Sequence, residues 1–177
     1  CNIHRIKGLT ANFIYFNDDM YVVKELNYHS MFCNDKMIIQ PLEFFPSLLL
    51  WGERNTWNVS WNKMYKLYGM KAHKHVFFAL NKNTMRVSEN SIYDKWEETM
   101  CSRFRKVTDI PPVGYTLNFA LQHELGYTPS QALKLGLHNN SKTAFNSRNR
   151  NVDVICINKS SSVSTSVQNL MDSYLFL

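Results

Sequence analysis

The sequence has no long hydrophobic run. Its apolar clusters, such as Leu48-Leu49-Leu50-Trp51, are far shorter than the roughly 20 apolar residues that a membrane-crossing helix needs. We therefore predict that the chain contains no transmembrane segment.

Closely spaced cysteines are also absent. The chain holds four cysteines, none of them in a CxxC pair: Cys1, Cys33, Cys101 and Cys156. This spacing argues against a zinc site. It favours free thiols in a reducing compartment, although the count would also allow two disulfides.

The motifs that mark several common enzyme classes are missing as well. The sequence contains no P-loop, no GxGxxG, no HExxH and no GxSxG, which argues against the nucleotide-binding, metalloprotease and hydrolase sites that these motifs build. We expect no organic cofactor.

The composition is that of a folded, positively charged protein. The 177 residues suffice for a single domain, 1–177, and 45% of them are hydrophobic, so the chain can bury a sizeable core. The net charge of +6 favours an anionic partner such as a nucleotide, a sugar phosphate or a polyanionic glycan. Because most aromatic residues fall on apolar faces rather than among clustered basic residues, we predict no nucleic-acid partner.

Hydrophobic patterns predict strands that alternate with helices. Aromatic and β-branched runs predict strands at 13–16, 75–80 and 152–157. Helical spacing predicts helices at 47–68, 91–100, 111–125, 129–135 and 167–175. Ser91 is predicted to cap the second helix and Gly126 to close the third, while 20–46 are predicted to be irregular. The alternation predicts an α/β fold, a layered sheet with flanking helices.

Paired carboxylates follow the first predicted strand, in the turn Asn17-Asp18-Asp19. In open α/β sheets, ligands bind beyond the carboxyl ends of the strands. Two adjacent acids can hold a divalent cation, or one of them can act as a base or nucleophile. The alternative is a solvated Asx-type turn, and the local sequence alone favours that alternative.

A histidine and two arginines are further candidates for chemistry. His75 begins a predicted strand, where an imidazole can act as an acid or base near pH 7; a structural histidine is the alternative. Arg103 and Arg105 lie in a basic loop before a proline-opened helix. Guanidinium groups suit phosphate oxygens, but a solvated basic loop explains these two residues equally well.

Several segments together resemble the Stealth family, which includes bacterial capsular-polysaccharide phosphotransferases and the animal N-acetylglucosamine-1-phosphotransferase. Residues 4–9, HRIKGL, and then 13–19, FIYFNDD, are similar to the family's second conserved region. Lys7 stands where the family usually has proline.

Later segments extend the resemblance in the same order. The strand that begins at His75 resembles the family's histidine-led strand, with Phe77 where proline is usual. Residues 102–105, SRFR, with Asp109 resemble another family stretch. Residues 155–158, ICIN, resemble the fourth conserved region, in which Lys159 replaces the usual aspartate.

The resemblance implies a function and a set of site residues. It implies transfer of a hexose 1-phosphate, such as N-acetylglucosamine 1-phosphate, from a UDP-sugar to a glycan hydroxyl in capsule or exopolysaccharide synthesis, on a Rossmann-like, nucleotide-sugar-transferase-like fold. The implied catalytic residues are Asp19, Asp18, His75 and Arg105. The implied substrate-binding residues are Asn17, Arg103, Asp109, His4 and Arg5. A Mg²⁺ or Mn²⁺ ion, with Asp19 as its ligand, is also expected.

The resemblance carries expectations about completeness and place. The family's first conserved region, which contains a WVDGSD-like segment, has no counterpart here, so we expect a domain that is incomplete at its N-terminus. The rival hypothesis, favoured by Phe77 and Lys159, is an inactive glycan- or nucleotide-binding remnant of this family. We expect a cytoplasmic protein with peripheral association at the inner face of the membrane.

Overall fold

Eight short strands and three α-helices make up the part of the chain that the structure describes. The structure is a computed structural model, and the described residues are 2–17, 20–22, 25–40, 77–104, 106, 108–129, 135–139 and 154–158. Within these ranges, no helix is both long and apolar enough to cross a lipid bilayer.

Two of the three small sheets meet at one turn. Strand β1 (Asn12–Tyr15) pairs antiparallel with β5 (Phe78–Asn81). Strand β2 (Met20–Val22) pairs antiparallel with β8 (Val154–Asn158), and β8 pairs parallel with β7 (Leu135–Asn139). The turn between β1 and β2 therefore belongs to both sheets.

The third sheet combines a hairpin with a strand from much later in the chain. Strands β3 (Phe32–Cys33) and β4 (Lys36–Ile38) are antiparallel, and β6 (Gly126–Tyr127) adds parallel to β4. The two-residue hairpin turn, Asn34-Asp35, has positive φ angles of 50° and 59°. Asn and Asp tolerate this left-handed conformation better than other residues with side chains do, which explains the tight turn.

Three α-helices and two one-turn 3₁₀ helices surround the strands. The α-helices are α1 (Lys82–Ser91), α2 (Tyr93–Cys101) and α3 (Pro112–Gln122). The 3₁₀ turns are Ile3–Arg5 and Tyr28–Ser30. Pro112 suits the first turn of α3, because proline has no N–H to lose there and its φ angle is already helical.

The core lies where α1 and α3 cover β5 and β4. Its largest fully buried side chains are Trp96, Phe32, Phe77, Met31, Met37, Ile39, Leu80, Met85 and Leu117. Helix α1 also buries polar groups: the Ser88 Oγ lies 2.9 Å from the Thr116 Oγ1 of α3, in a buried hydrogen bond. This bond lets the two helices pack closely without leaving either hydroxyl unsatisfied.

Asn81 fixes the start of α1 and joins it to the sheet. Its Oδ1 accepts hydrogen bonds from the backbone N–H groups of Asn83 and Thr84, at 2.9 and 3.1 Å. Its Nδ2 donates to the Asn12 Oδ1 at 2.6 Å. One side chain therefore caps the helix and closes the end of the β1–β5 ladder.

The predicted α/β class is confirmed, and strands are found at 12–15, 78–81 and 154–158, close to the three that the sequence predicts. The Rossmann-like arrangement stays a prediction. The predicted helices at 47–68 and 167–175 lie outside the described residues.

Four local predictions are wrong. Residues 20–46 are not all irregular, since they contain β2, β3 and β4. Ser91 ends α1 rather than capping α2, and its hydroxyl donates to the Ser88 carbonyl. Helix α3 ends at Gln122, and Gly126 begins β6 instead of closing the helix. Leu135 begins strand β7 and does not end a helix. The errors at β2, β6 and β7 share a cause, since each of these strands pairs with a strand distant in sequence. The β3–β4 hairpin is local but very short.

Replacing the capping residue should destabilise the protein. Asn81→Ala removes the acceptor for two N–H groups and the contact with Asn12, so we expect the free energy of unfolding to fall by about 1–2 kcal/mol. Urea unfolding measures it. Asn90→Ala, an exposed change in the same helix, is the control and should be neutral within about 0.5 kcal/mol. Equal stabilities of the two variants would contradict the capping role.

Candidate functional site

The acidic turn follows directly from β1, and β5 begins beside it. In the β1–β5 ladder Tyr15 pairs with Phe78. One residue beyond that pair, the rings of Phe16 and Phe77 lie 5.2 Å apart between centroids. Asn17, the first residue of the turn, is the last described residue before Asp18. The segments that carry Asn17 and Phe77 therefore meet at one end of the ladder.

Strands β7 and β8 end on the side of their sheet where the turn enters β2. Met20 begins β2 immediately after the turn, donates its backbone N–H to the Asn17 carbonyl at 3.3 Å, and pairs with Cys156. Because β2 and β8 are antiparallel, β8 runs on past Met20 as far as Asn158, on the side of the turn. Asn139 of β7 pairs with Asn158. The carboxyl ends of two parallel strands thus lie at the same end of the sheet as the turn, and α/β proteins commonly bind ligands beyond such ends.

All four predicted catalytic residues lie outside the described residues: Asp18, Asp19, His75 and Arg105. Their roles stay predictions.

Asp109 is a loop anchor. It is buried, with 7% of its surface exposed. Its Oδ1 accepts from the Ser102 hydroxyl at 2.8 Å, and its Oδ2 accepts from the backbone N–H of Lys106 at 2.7 Å. Both carboxylate oxygens therefore hold the loop at 102–109 in shape.

The loop that Asp109 shapes presents Arg103 and Phe104 to solvent. Both residues are exposed, and the guanidinium carbon of Arg103 lies 5.4 Å from the centroid of the Phe104 ring. This cation–π contact leaves the guanidinium edge open to an anion. The predicted binding role of Arg103 stays a prediction.

A buried carboxylate joins His4 and Arg5. Glu89 of α1 has a side chain that is 5% exposed; its Oε2 lies 2.7 Å from the His4 Nε2, and its Oε1 accepts from Arg5. Burial lowers the pKa of His4 below its ordinary value, although Glu89 acts in the opposite direction. His4 is therefore neutral near pH 7, with its proton on Nε2 facing Glu89.

His4 and Arg5 pack at the far end of the β1–β5 ladder from Asn17. Arg5 contacts α1, and α1 follows Asn81, whose partner in the ladder is Asn12 rather than Tyr15. The structure thus packs these two predicted binding residues against α1. Their part in substrate binding stays a prediction.

The sequence did not reveal Glu89 or its neighbours Lys82 and Arg86 as site candidates. Helix α1 was not predicted, because its polar composition hides the helical face. A usable signal exists in the spacing of 82, 86 and 89, which places the three residues on one side of a helix. Asn81 before them fits a helix N-cap.

Within the described ranges, no three His, Cys, Asp or Glu side chains lie close enough together to hold a metal ion. Asp19, the predicted metal ligand, lies outside those ranges. A metal role for Asp19 accordingly stays a prediction.

Comparison with known proteins relates the chain to bacterial capsular polysaccharide and exopolysaccharide phosphotransferases. It is 44% identical over 50 residues to a capsular polysaccharide phosphotransferase of Streptococcus thermophilus, covering 28% of this chain and 20% of the relative. It is 27% identical over 135 residues to an exopolysaccharide phosphotransferase of Streptomyces coelicolor, covering 68% and 24%. The chain is a homologue of these phosphotransferases. No family model matches it.

A further capsular relative shows how far the phosphotransferase homology reaches. The capsular polysaccharide phosphotransferase of Neisseria meningitidis serogroup A is 26% identical over 143 residues, which is 75% of this chain and 25% of the relative. These relatives confirm the resemblance that the motifs indicate. The chain spans about a quarter or less of the phosphotransferases it matches.

The buried histidine should make stability depend on pH. Because the pKa of His4 is lowered in the folded protein from 6.5, the unfolded chain takes up a proton first as the pH falls. The free energy of unfolding should therefore decrease below about pH 6.5, by at most about 1.4 kcal/mol per pH unit. His4→Gln should reduce this slope in urea unfolding between pH 5 and 7.

The control is His29→Gln, which changes an exposed histidine. It should leave the slope unchanged. An unaltered slope in His4→Gln would show that the folded protein does not disfavour protonation of His4.

Removing the Asp109 carboxylate should release its loop. Asp109→Ala leaves the backbone N–H of Lys106 and the Ser102 hydroxyl without their acceptor, at a cost of about 1–3 kcal/mol in unfolding free energy. Trypsin should then cut faster at Arg103. Asp94→Ala, at an exposed acid on α2, is the matched control. Equal cleavage rates in the two variants would rule out the anchoring role.

Proposed function

We propose that this protein transfers a hexose 1-phosphate, such as N-acetylglucosamine 1-phosphate, from a UDP-sugar to a hydroxyl group of a glycan. The product is a phosphodiester in a capsular polysaccharide or exopolysaccharide. Two kinds of observation support the proposal: the homology to capsular and exopolysaccharide phosphotransferases, and the way strands come together at the turn that holds the paired acids.

The convergence of strand ends is the observation that carries the proposed site. Strand β1 ends at the turn, β2 begins there, β5 begins beside it, and β7 and β8 both end toward it. A group of strand ends presents backbone and side-chain polar atoms to one volume. Phosphoryl transfer needs such a volume, since its catalysis is mainly positioning and charge stabilisation.

In the proposed reaction, the acceptor hydroxyl oxygen forms a bond to the phosphorus that carries the sugar. The bond from that phosphorus to the bridging oxygen breaks, and uridine monophosphate leaves with the electron pair. The hydroxyl proton must pass to a base. We assign this acid–base role to His75 and a catalytic or metal-binding role to Asp19, with Asp18 in support.

Cationic and amide groups would hold the diphosphate and the sugar. We assign Arg105 to the phosphate oxygens, with Arg103 beside it, because guanidinium groups bind such oxygens in a forked geometry. Asn17 would bond the sugar or orient the acids. Asp109 would act by shaping the loop that carries both arginines.

The proposal also covers the metal ion, the fold of the complete domain and the cellular location. A Mg²⁺ or Mn²⁺ ion at Asp19 would neutralise diphosphate charge when bound. We propose a Rossmann-like, nucleotide-sugar-transferase-like arrangement for the complete domain. The proposed place of action is the cytoplasm, with peripheral association at the inner face of the membrane, where a nucleotide-sugar donor and a growing glycan can meet.

The second candidate is an inactive member that binds a glycan or a nucleotide. Phe77 favours it, because a buried phenylalanine packed on Phe16 stands where the resembling family usually has proline. Lys159 in place of an aspartate favours it too. Binding of a UDP-sugar without release of uridine monophosphate would support this candidate over the enzyme.

Neutralising Asp19 should abolish transfer without unfolding the protein. Asp19→Asn in the full-length protein should lower the rate of phosphate transfer from a labelled UDP-sugar by about 100-fold or more, since single acid–base groups contribute factors of that size. Asp94→Asn, which changes an exposed acid on α2, is the control and should keep its rate. Near-normal turnover by Asp19→Asn would contradict the assignment.

A further inference from the structure

A polar cleft lies at the end of the β1–β5 ladder opposite the acidic turn. Its volume is about 320 Å³, at the lower end of the range for small-molecule sites. Six residues line it: His4, Leu9, Ala11, Lys82, Asn83 and Arg86. The cleft thus lies between the 8–11 segment and the first two turns of α1.

The described residues of the lining are cationic or uncharged, and none of them is acidic. Lys82 and Arg86 contribute two positive charges, one helical turn apart on α1. The nearest acid on the same helix face is Glu89, whose carboxylate is buried and bonded by both His4 and Arg5. Its charge is compensated within the protein, so the cleft attracts anions.

Local contacts hold both cationic side chains in place. The Lys82 Nζ donates to the Leu9 carbonyl at 3.1 Å, and the Arg86 Nη2 donates to the Asn83 Oδ1 at 2.6 Å. An ammonium has three donors and a guanidinium five, so each contact uses only one of them. The remaining N–H groups can bind ligand oxygens at little entropic cost, because the side chains are already ordered.

The side chains that line the cleft, and not the backbone N–H groups at the start of α1, are the groups available to bind an anion. The backbone N–H groups of Asn83 and Thr84 already donate to Asn81. Oxygens of a tetrahedral phosphate group suit two cations one turn apart, since each oxygen can accept charge-assisted hydrogen bonds. The apolar side chains of Leu9 and Ala11 give the opposite wall a surface on which the carbon face of a sugar can pack.

The cleft and the acidic turn are separate sites. Asn12 pairs with Asn81 at the cleft end, and Tyr15 pairs with Phe78 at the turn end. The two pairs are three residue steps apart along the strand, a distance of about 10 Å. A phosphate at the transfer centre therefore cannot be the same phosphate that occupies the cleft.

We propose that the cleft binds a phosphate group already present in the acceptor glycan, while the free hydroxyl group of that glycan lies at the acidic turn. The identity of the ligand as a glycan rests on the proposed function; the phosphate chemistry rests on the cleft alone. The same chemistry would also accept the phosphate of released uridine monophosphate. The experiment separates these two sources.

The test is isothermal titration of the full-length protein with three probes: inorganic phosphate, uridine monophosphate, and a disaccharide joined by a phosphodiester. Arg86→Gln should weaken binding of inorganic phosphate and of the disaccharide by about tenfold, the loss expected for one charge-assisted contact. Lys82→Gln should have a similar effect. The control, Lys36→Gln, removes an exposed charge on β4 outside the cleft and should change affinity less than about twofold.

Three results would overturn the proposal. They are undiminished binding in Arg86→Gln and Lys82→Gln, an equal loss in Lys36→Gln, and an Arg86-dependent preference for uridine monophosphate over the disaccharide. Arg86 is exposed, so its variant should fold, and circular dichroism verifies this. If Asp19→Asn retains transfer while phosphate binding still depends on Arg86, the result supports the phosphate-binding role of the cleft and contradicts the proposed transfer site.

Discussion

The pairing of β1 with β5 decides where everything else in the described structure lies. Its register, from Asn12 with Asn81 to Tyr15 with Phe78, fixes both ends of a short ladder. At one end the chain enters the acidic turn beside the Phe16–Phe77 contact. At the other end Asn81 starts α1 and brings Lys82 and Arg86 to the cleft. A shift of one residue would move Phe13 out of the core and Ile14 into it.

Burial of one carboxylate ties the N-terminal turn to this frame. Glu89 is satisfied by two partners from a segment 84 and 85 residues earlier, and a buried charge without such partners would be costly. The contacts of Glu89 with His4 and Arg5 thus join segments that are distant in sequence, and they also compensate a negative charge near Arg86. The stability of the fold and the preference of the cleft for anions both depend on these contacts of Glu89.

The sequence predicted those elements whose signal is local. β1, β5 and β8 are apolar runs, and α3 opens with proline and has a regular apolar face. Helix α1 was missed because the residues it buries include Thr84, Ser88 and Glu89, which do not read as a hydrophobic stripe. Strand β2 is three residues long and forms because β8 is there; no local pattern encodes that partner.

The candidate site divides in the same way. The acidic turn stands out only through the family resemblance, because Asn-Asp-Asp also suits a solvated turn. Asp109 was found through the same resemblance, but its two hydrogen bonds within the loop come from the structure. Glu89 could not be identified as buried, since its burial depends on His4 and Arg5 folding back onto α1.

Hydrogen exchange of the full-length protein with and without a UDP-sugar tests most directly whether the strand ends at the acidic turn form the donor site. Inorganic phosphate present throughout keeps the cleft occupied in both states. We predict that the UDP-sugar slows exchange in peptides that cover 13–22 and 154–158 and changes exchange little in 82–91. Protection confined to 82–91, with none at 13–22, would contradict it.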